Sequence, residues 1–303
     1  MSVKSFNNII SKGGPRFPIE KNRYNLYVSF TCPFAQRAAI VRQLKGLEEY
    51  LPLVHTHYSL DSKGWRFPTK EELSSVPEGD ITLGTLEPNY GLERISELYF
   101  KANPNYEGRW TVPALWDKKE ETLVNNESGE MVRFFNTEFN DFLPDDYKHV
   151  DVYPNELQSQ VESFNEQFGD AVGKAFFKTS FAQNKEDFEA GYKALLEELK
   201  KVDKYFEERQ EKGSFFAIGS QLTEADIKLF TSVVRVGRVY YNDYGAQRFS
   251  LAKDYPHLHK WFLNLYKIPA FKDTTDFVQL TKSAESRSGK TVSEKFESVL
   301  DLA

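Results

Sequence analysis

The pattern of apolar and polar positions divides the 303-residue chain into a first half that contains strands and a second half that is helical. Residues 24–30 form a short apolar run, and residues 35–44 place alanine, valine and leucine at helical spacing. This pattern predicts a buried strand followed by an amphipathic helix. The other elements predicted for this half are strands at 51–58, 112–117 and 123–124, and helices at 92–102 and 131–139.

Strand patterns fade beyond residue 155, and helical periodicity takes over. The predicted helices span 156–171, 185–210, a segment that opens at Thr223 and continues to Val239, and 257–266. Thr223 and Asp226 have the spacing of a capping box at the start of the third of these helices. The predicted organisation is a lead-in at 1–22, a first domain at 23–140, a linker at 141–155, a helical domain at 156–280, and a mobile or loosely helical tail at 281–303.

Composition excludes several classes of protein. A net charge of −6 and a pI near 5.6 argue against a nucleic-acid or anionic-membrane partner, since both require a basic surface. No apolar run approaches the ~20 residues of a membrane span, and residues 1–14 lack the apolar core of a signal peptide. A single cysteine cannot form an internal disulfide. We therefore expect a protein of a reducing compartment, the cytoplasm.

That single cysteine, Cys32, lies between the first predicted strand and the first predicted helix. Pro33 follows it, and proline is favoured at the first position of a helix. Cys32 is therefore predicted to cap a helix N-terminus, where free backbone N–H groups and the helix dipole favour a thiolate and lower the pKa from its usual ~8.5. The alternative is a buried and inert cysteine. The strand–Cys–Pro–helix context favours a reactive cysteine.

Four further segments carry candidate chemistry. The Val-Pro bond at Pro113 predicts a cis peptide, and Ser128 predicts a cap for the helix at 131–139, with an anion site at its N-terminus. The segment Gly64–Phe67 either packs its own loop or lines a ligand site. His55 and His57 are predicted to face solvent from a strand, and without a third ligand they do not indicate a metal site.

These features, taken in order, resemble a cytosolic glutathione transferase, and in particular the glutathionyl-hydroquinone reductases of the xi class and the fungal omega-like transferases. The resemblance covers about residues 23–275. The motifs that carry it are Cys32–Arg37, Gly64–Phe67, Lys101–Asp117, Asn125–Ser128 and Leu222–Phe230. It implies an α/β thioredoxin-like N-terminal domain plus an all-α C-terminal domain.

The resemblance also implies the chemistry. A cysteine at the position of Cys32 attacks the sulfur of a glutathionyl adduct, and a second glutathione resolves the mixed disulfide. Tyr240 matches a tyrosine that binds the oxygen of a quinone. The implied glutathione-binding residues are Phe34, Trp65, Arg109, Val112, Pro113, Glu127 and Ser128. The implied partners are glutathione as co-substrate, a small aromatic or disulfide-bearing second substrate, and a second copy of the chain.

The sequence departs from the family pattern at several positions. Phe34 and Gln36 stand where the family has tryptophan and histidine, and Phe177 and Phe188 stand where it has tyrosine. Loss of phenol donors weakens recognition of a hydroxylated aromatic substrate. An omega-like thioltransferase or dehydroascorbate reductase therefore stays open as an alternative. So does a binding module without turnover.

A third alternative is a conjugating enzyme in which a hydroxyl group activates glutathione. Ser29 and Tyr27 are the candidate hydroxyl-bearing residues close to Cys32 in the sequence. In the second half, Tyr241 and Tyr244 could substitute for the missing phenol groups, or they could be packing residues.

Overall fold

The computed structural model describes residues 4–242, 244–291 and 296–302. The chain divides into two compact units, residues 1–151 and 152–303. The division falls within the segment 141–155 that the sequence predicts as a linker. The two units are described separately below.

A four-stranded sheet lies at the centre of the first unit. The strands of this unit are β1 (Tyr24–Val28), β2 (Leu53–His55), β3 (Leu60–Asp61), β4 (Gly64–Trp65), β5 (Ala114–Asp117) and β6 (Thr122–Asn125). The sheet order is β2-β1-β5-β6, with β1 parallel to β2 and antiparallel to β5, and β5 antiparallel to β6. All five residues of the inner strand β1 are buried. Four of these residues are apolar or aromatic, as expected for a strand that is buried on both faces, and the fifth, Asn25, is a buried polar residue.

Helices pack beside this sheet. They are α1 (Pro33–Leu44), α2 (Lys70–Leu73), α3 (Ile95–Ala102), α4 (Ser128–Thr137) and α5 (Asp145–Lys148), and a short 3-10 turn spans Asn140–Phe142. Helices α1 and α4 pack against each other. The sheet with its helices confirms the predicted α/β first domain.

Two segments of the first unit are more ordered than the sequence predicts. The long connection at 59–91 contains the hairpin β3–β4, and Arg94 binds Asp61 of this hairpin at 2.9 Å. The lead-in at 1–22 pairs with the sheet edge, since the N–H of Asn8 donates to the carbonyl of Val124 at 2.9 Å. Its residue Ile10 is fully buried.

The second unit is helical throughout its described residues. Its helices are α6 (Gln158–Phe164), α7 (Asp170–Ser180), α8 (Lys185–Glu211), α9 (Glu224–Val233), α10 (Leu251–Asp254), α11 (Pro256–Tyr266), α12 (Pro269–Lys272), α13 (Phe277–Ser288) and α14 (Phe296–Val299). Short 3-10 helices span Asn155–Leu157 and Val236–Tyr240, and a π-helical segment spans Asn165–Gly169. The long helix α8 confirms the prediction for 185–210.

Two helix boundaries differ from the prediction. The helix predicted to end at residue 171 continues through the π-helical segment into α7 and ends at Ser180. The helix that opens after Thr223 ends at Val233 and not at Val239, and a 3-10 helix follows it. When an α-helix changes into a π- or 3-10 helix, its apolar residues stay roughly on one face of the helix. The spacing of apolar residues therefore does not reveal where the change occurs.

The capping box at Thr223 is confirmed, and it has a wider role than a cap. The carboxylate of Asp226 is fully buried and accepts hydrogen bonds from the N–H of Thr223 at 3.0 Å and of Ala217 at 2.7 Å. The indole N–H of Trp261 also donates to it, at 2.9 Å. Asp226 therefore joins three segments of the second unit.

Residues 281–291 and 296–302, the described part of the predicted tail, are largely packed into the second unit. The expected boundary after residue 280 lies inside α13, and Leu280, Ala284, Phe296 and Tyr241 form a buried hydrophobic cluster. The Ser- and Lys-rich composition did not predict this packing, because the buried residues are few and widely spaced in the sequence. Within the described ranges, no helix is both long enough and apolar enough to cross a membrane.

Candidate active site

Cys32 lies at the junction that the sequence predicts, directly before α1. It occupies the N-cap position with an extended backbone (φ −90°, ψ 119°), and Pro33 is the first helical residue. Its N–H donates to the carbonyl of Ser29 at 3.0 Å, and its carbonyl accepts from the N–H of Gln36 at 3.1 Å. The side chain is partly exposed. Cys32 is therefore not buried, which contradicts the alternative of a buried cysteine on that point.

The loop before β5 approaches Cys32 from a distant part of the sequence. The peptide bond between Val112 and Pro113 is cis, as the sequence predicts. The Sγ atom of Cys32 lies 3.4 Å from the carbonyl oxygen of Val112, within reach of a weak S–H···O hydrogen bond. The hydroxyl of Tyr99 donates to the carbonyl of Thr111 at 2.9 Å and so holds this loop in place.

The turn before α4 differs from its prediction in one respect. Helix α4 begins at Ser128 itself, Glu127 is its N-cap residue, and no side-chain hydrogen bond caps it. The prediction that Ser128 caps a helix starting at residue 131 is therefore wrong. Glu127 is exposed and Ser128 is partly exposed, so both are accessible at the helix N-terminus.

Two asparagines shape this turn, and the sequence reasoning assigned them no role. The side chain of Asn125 accepts a hydrogen bond from the N–H of Glu127 at 2.6 Å. The side chain of Asn126 accepts one from the N–H of Phe6 at 2.7 Å. Consecutive asparagines before a helix are a recognisable signal, since their side chains bond nearby backbone groups. The contact between Asn126 and Phe6 could not be predicted, because the two residues are far apart in the sequence.

The remaining predicted binding residues of the first unit lie in different surroundings. Phe34, in the first turn of α1, is 41% exposed, and the guanidinium of Arg37 lies 4.9 Å from its ring centre. Arg109 is exposed. Trp65 and Phe67 are buried, and Phe67 packs edge-on against Tyr27. Phe67 therefore packs against strand β1.

Tyr240 belongs to the second unit, in the 3-10 helix Val236–Tyr240. It is partly buried, and its hydroxyl oxygen accepts a hydrogen bond from the N–H of Phe249 at 3.1 Å. Burial raises the pKa of Tyr240, so its phenol stays protonated at neutral pH.

The prediction that His55 and His57 face solvent from one strand is wrong. Strand β2 ends at His55, and both side chains are buried. The ring of His55 packs edge-on against Phe30 with 4.7 Å between centroids. The Nε2 atom of His57 lies 3.1 Å from the guanidinium of Arg66. Both histidines are packing residues, and among the described residues no group of three or more His, Cys, Asp or Glu could hold a metal ion.

The two candidate hydroxyl groups, those of Tyr27 and Ser29, are not accessible. Tyr27 is fully buried, its hydroxyl donates to Glu87 at 2.6 Å, and burial raises its pKa. Ser29 is also fully buried, and its Oγ lies 2.9 Å from that of Thr31. This geometry argues against the alternative in which Ser29 or Tyr27 activates glutathione.

Comparison with known proteins gives the family. Residues 31–138 match the family model for the glutathione S-transferase N-terminal domain, and residues 189–263 match the model for the C-terminal domain. The match to the first model begins beside Cys32 and ends in α4. It therefore includes every predicted binding residue of the first unit.

Individual relatives agree with the family models. Glutathione S-transferase omega-like 2 of Saccharomyces cerevisiae is 38% identical, over 91% of this chain and 87% of that protein. Glutathionyl-hydroquinone reductase YqjG of Escherichia coli is 34% identical, over 96% of this chain and 85% of that protein. The crystal structure of the Xi glutathione transferase ECM4 from Saccharomyces cerevisiae in complex with glutathione matches with a TM-score of 0.86 at 36% identity, over 97% of this chain and 98% of that one. The chain therefore belongs to the glutathione S-transferase family and has its fold.

Proposed function

We propose that this protein is a glutathione-dependent thiol transferase or reductase that uses Cys32 as its nucleophile. The observation that carries the proposal is the position of Cys32, which is partly exposed at the N-cap of α1. The N-terminus of a helix stabilises a thiolate. The glutathione transferases and glutathionyl-hydroquinone reductases among its relatives support a glutathione-dependent reaction.

The reaction has two steps, of which the second is a thiol–disulfide exchange. The thiolate of Cys32 attacks the sulfur of a glutathionyl adduct, forms an S–S bond with it, and breaks the bond between that sulfur and the substrate carbon. The carbon keeps the electron pair and takes a proton, so the substrate is reduced. The thiolate of a second glutathione then attacks the mixed disulfide, which releases glutathione disulfide and restores Cys32. No second cysteine is needed.

Glutathione binding is proposed at the loops around Cys32. The backbone of Val112, next to Pro113, binds the cysteinyl part of the tripeptide. The γ-glutamyl end binds at Glu127 and Ser128. Helix α4 begins there without a side-chain cap, so N–H groups of its first turn are left for the γ-glutamyl carboxylate. Phe34, Trp65 and Arg109 line the rest of the site. Tyr240 donates its phenol proton to an oxygen of the second substrate.

The test is a Cys32→Ser variant, because serine keeps the size of the side chain and removes the nucleophilic sulfur. We expect glutathione binding, measured by calorimetry, to stay within about threefold of wild type. We expect the release of glutathione from a glutathionyl-hydroquinone to fall by at least about 1000-fold. Wild-type activity in the variant would show that Cys32 is not the nucleophile. A wild-type protein that binds glutathione but turns over no adduct would support the non-catalytic module.

An omega-like thioltransferase or dehydroascorbate reductase is the second candidate. Phe177 and Phe188 offer no phenol donor for a hydroquinone oxygen, and Phe188 is 2% exposed and stacks on Tyr192. The relatives named omega-like transferases also favour it. Comparing kcat/KM for a glutathionyl-hydroquinone, a mixed disulfide with glutathione and dehydroascorbate decides between the two. A preference for the first substrate supports the reductase, and a preference for either of the others supports the omega-like enzyme.

A homodimer in the cytoplasm completes the proposal. The dimer is expected by resemblance to other transferases of this fold, and light scattering during gel filtration tests it. A mass of about 35 kDa, equal to a single chain, would contradict it. A reducing compartment suits the mechanism because the thiol of Cys32 has to be reduced between turnovers.

A further inference from the structure

Two arginines of the second unit lie against one aromatic ring. The ring is that of Phe181, which follows α7. The guanidinium carbon of Arg238, in the 3-10 helix Val236–Tyr240, lies 4.9 Å from its centre. That of Arg287, in α13, lies 4.7 Å from it. Three separate elements therefore bring two positive charges together.

The guanidinium of Arg238 is largely buried, and its Nε atom is shielded from solvent without a hydrogen-bond partner among the described residues. Burial, together with the charge of Arg287, lowers the pKa of Arg238 to about 10. The group is thus still a cation at neutral pH. A buried cation with an unused donor costs free energy unless an anion pairs with it.

Two other arginines that stack on rings each form an ion pair with a carboxylate. Arg16 lies 5.0 Å from the ring centre of Phe17, and its Nε pairs with Glu120 at 3.1 Å. Arg23 stacks on Tyr24, and it pairs with a carboxylate at 2.6 Å. In the part of the chain that the structure describes, no carboxylate forms an ion pair with Arg238 or Arg287.

We infer that Arg238 and Arg287, which both lie against the ring of Phe181, form a binding site for the oxyanion of a small molecule. A carboxylate or a phosphate group fits, because each presents oxygens that match the planar donor fork of a guanidinium. The inference does not rest on the proposed function. All three residues belong to the second unit, and none is among the residues assigned to glutathione.

The test is direct titration of the full-length protein with two probes, benzoate and inorganic phosphate, by calorimetry at constant chloride. We expect at least one probe to bind to wild type. Arg238→Gln and Arg287→Gln should each weaken that binding at least about tenfold, since each removes one donor fork. Arg287 is exposed, so its variant is expected to fold even if that of Arg238 does not. Arg16→Gln is the matched control, and it should bind like wild type.

The outcomes separate the inference from the proposed function. Binding of benzoate alone identifies a carboxylate site, and binding of phosphate alone identifies a phosphate site. Cys32→Ser should bind the probe like wild type, because no sulfur chemistry is involved. The inference is overturned if wild type binds neither probe, if the Arg287→Gln variant binds as tightly as wild type, or if Arg16→Gln loses affinity to the same extent.

Discussion

Single residues carry the strongest link between this sequence and its chemistry. The position of Cys32 could be predicted because its signals are local: an apolar run before it, Pro33 after it, and helical spacing beyond. Its neighbour Val112 lies 80 positions away in the chain, so no periodicity connects the two residues. The family resemblance implies that both residues act on glutathione, and the structure gives the distance between them.

His55 shows how a residue-level prediction fails when burial is not visible in the sequence. Burial, with the nearby charge of Arg42, lowers its pKa from 6.5 to about 4. The unfolded chain therefore binds a proton at higher pH than the native protein does. The native state is expected to lose about 3 kcal/mol of stability as the pH falls from about 6.5 to about 4, and to have this contribution in full above 6.5.

Urea unfolding at a series of pH values measures this effect. In a His55→Gln variant the part of the pH dependence that belongs to this residue should disappear between pH 6.5 and 4. His149, which is exposed, provides the matched control, and His149→Gln should keep the wild-type slope. If His55→Gln shows the same dependence of the free energy of unfolding on pH as wild type, the pH dependence does not come from His55.

At the scale of elements, the prediction succeeds where one helix has an uninterrupted pattern and its own cap. Helix α8 is one case, and the start of α9, with its capping box, is another. The prediction fails where neighbouring elements decide the outcome. The hairpin β3–β4 consists of two-residue strands, too short for a recognisable alternation. The helix predicted to end at residue 171 continues into α7, which packs against α8.

Two capping boxes in the chain allow a matched prediction. At α9 the box residue Asp226 is fully buried and bonds three donors besides the hydroxyl of Thr223, whereas the box of Thr69 and Glu72 at α2 is exposed. Asp226→Ala leaves buried N–H groups unpaired and is expected to lower the free energy of unfolding by about 3 kcal/mol or more. Thr69→Ala should lower it by about 1 kcal/mol or less. Equal losses, measured by urea unfolding, would contradict this difference.

At the scale of the whole molecule, both the two-unit organisation and the family fold could be predicted, but the extent of the second unit could not. The residues beyond 280 look polar, yet Phe296 is 1% exposed and packs against Tyr241 with 5.5 Å between ring centroids. A few buried side chains are enough to hold such a segment, and composition averages do not show them.

Phe296→Ala tests whether this C-terminal segment stabilises the second unit. Removal of the buried ring is expected to lower the free energy of unfolding by about 3 to 5 kcal/mol, through lost burial and the cavity that remains. Val278→Ala, at a position that is 52% exposed, is the control and should change it by less than about 1 kcal/mol. If Phe296→Ala lowers the free energy of unfolding as little as Val278→Ala does, the C-terminal segment contributes little to the stability of the second unit.

The most direct test of the central claim is the mass of the intact protein after a single turnover. The chain has one cysteine, so a covalent glutathionyl group held as a disulfide can only be on Cys32. Wild-type protein mixed with one equivalent of a glutathionyl substrate, without free glutathione, is predicted to gain one glutathionyl group and release one reduced product. The added mass should disappear when glutathione is supplied. Product release without any added mass would contradict a mechanism that passes through Cys32.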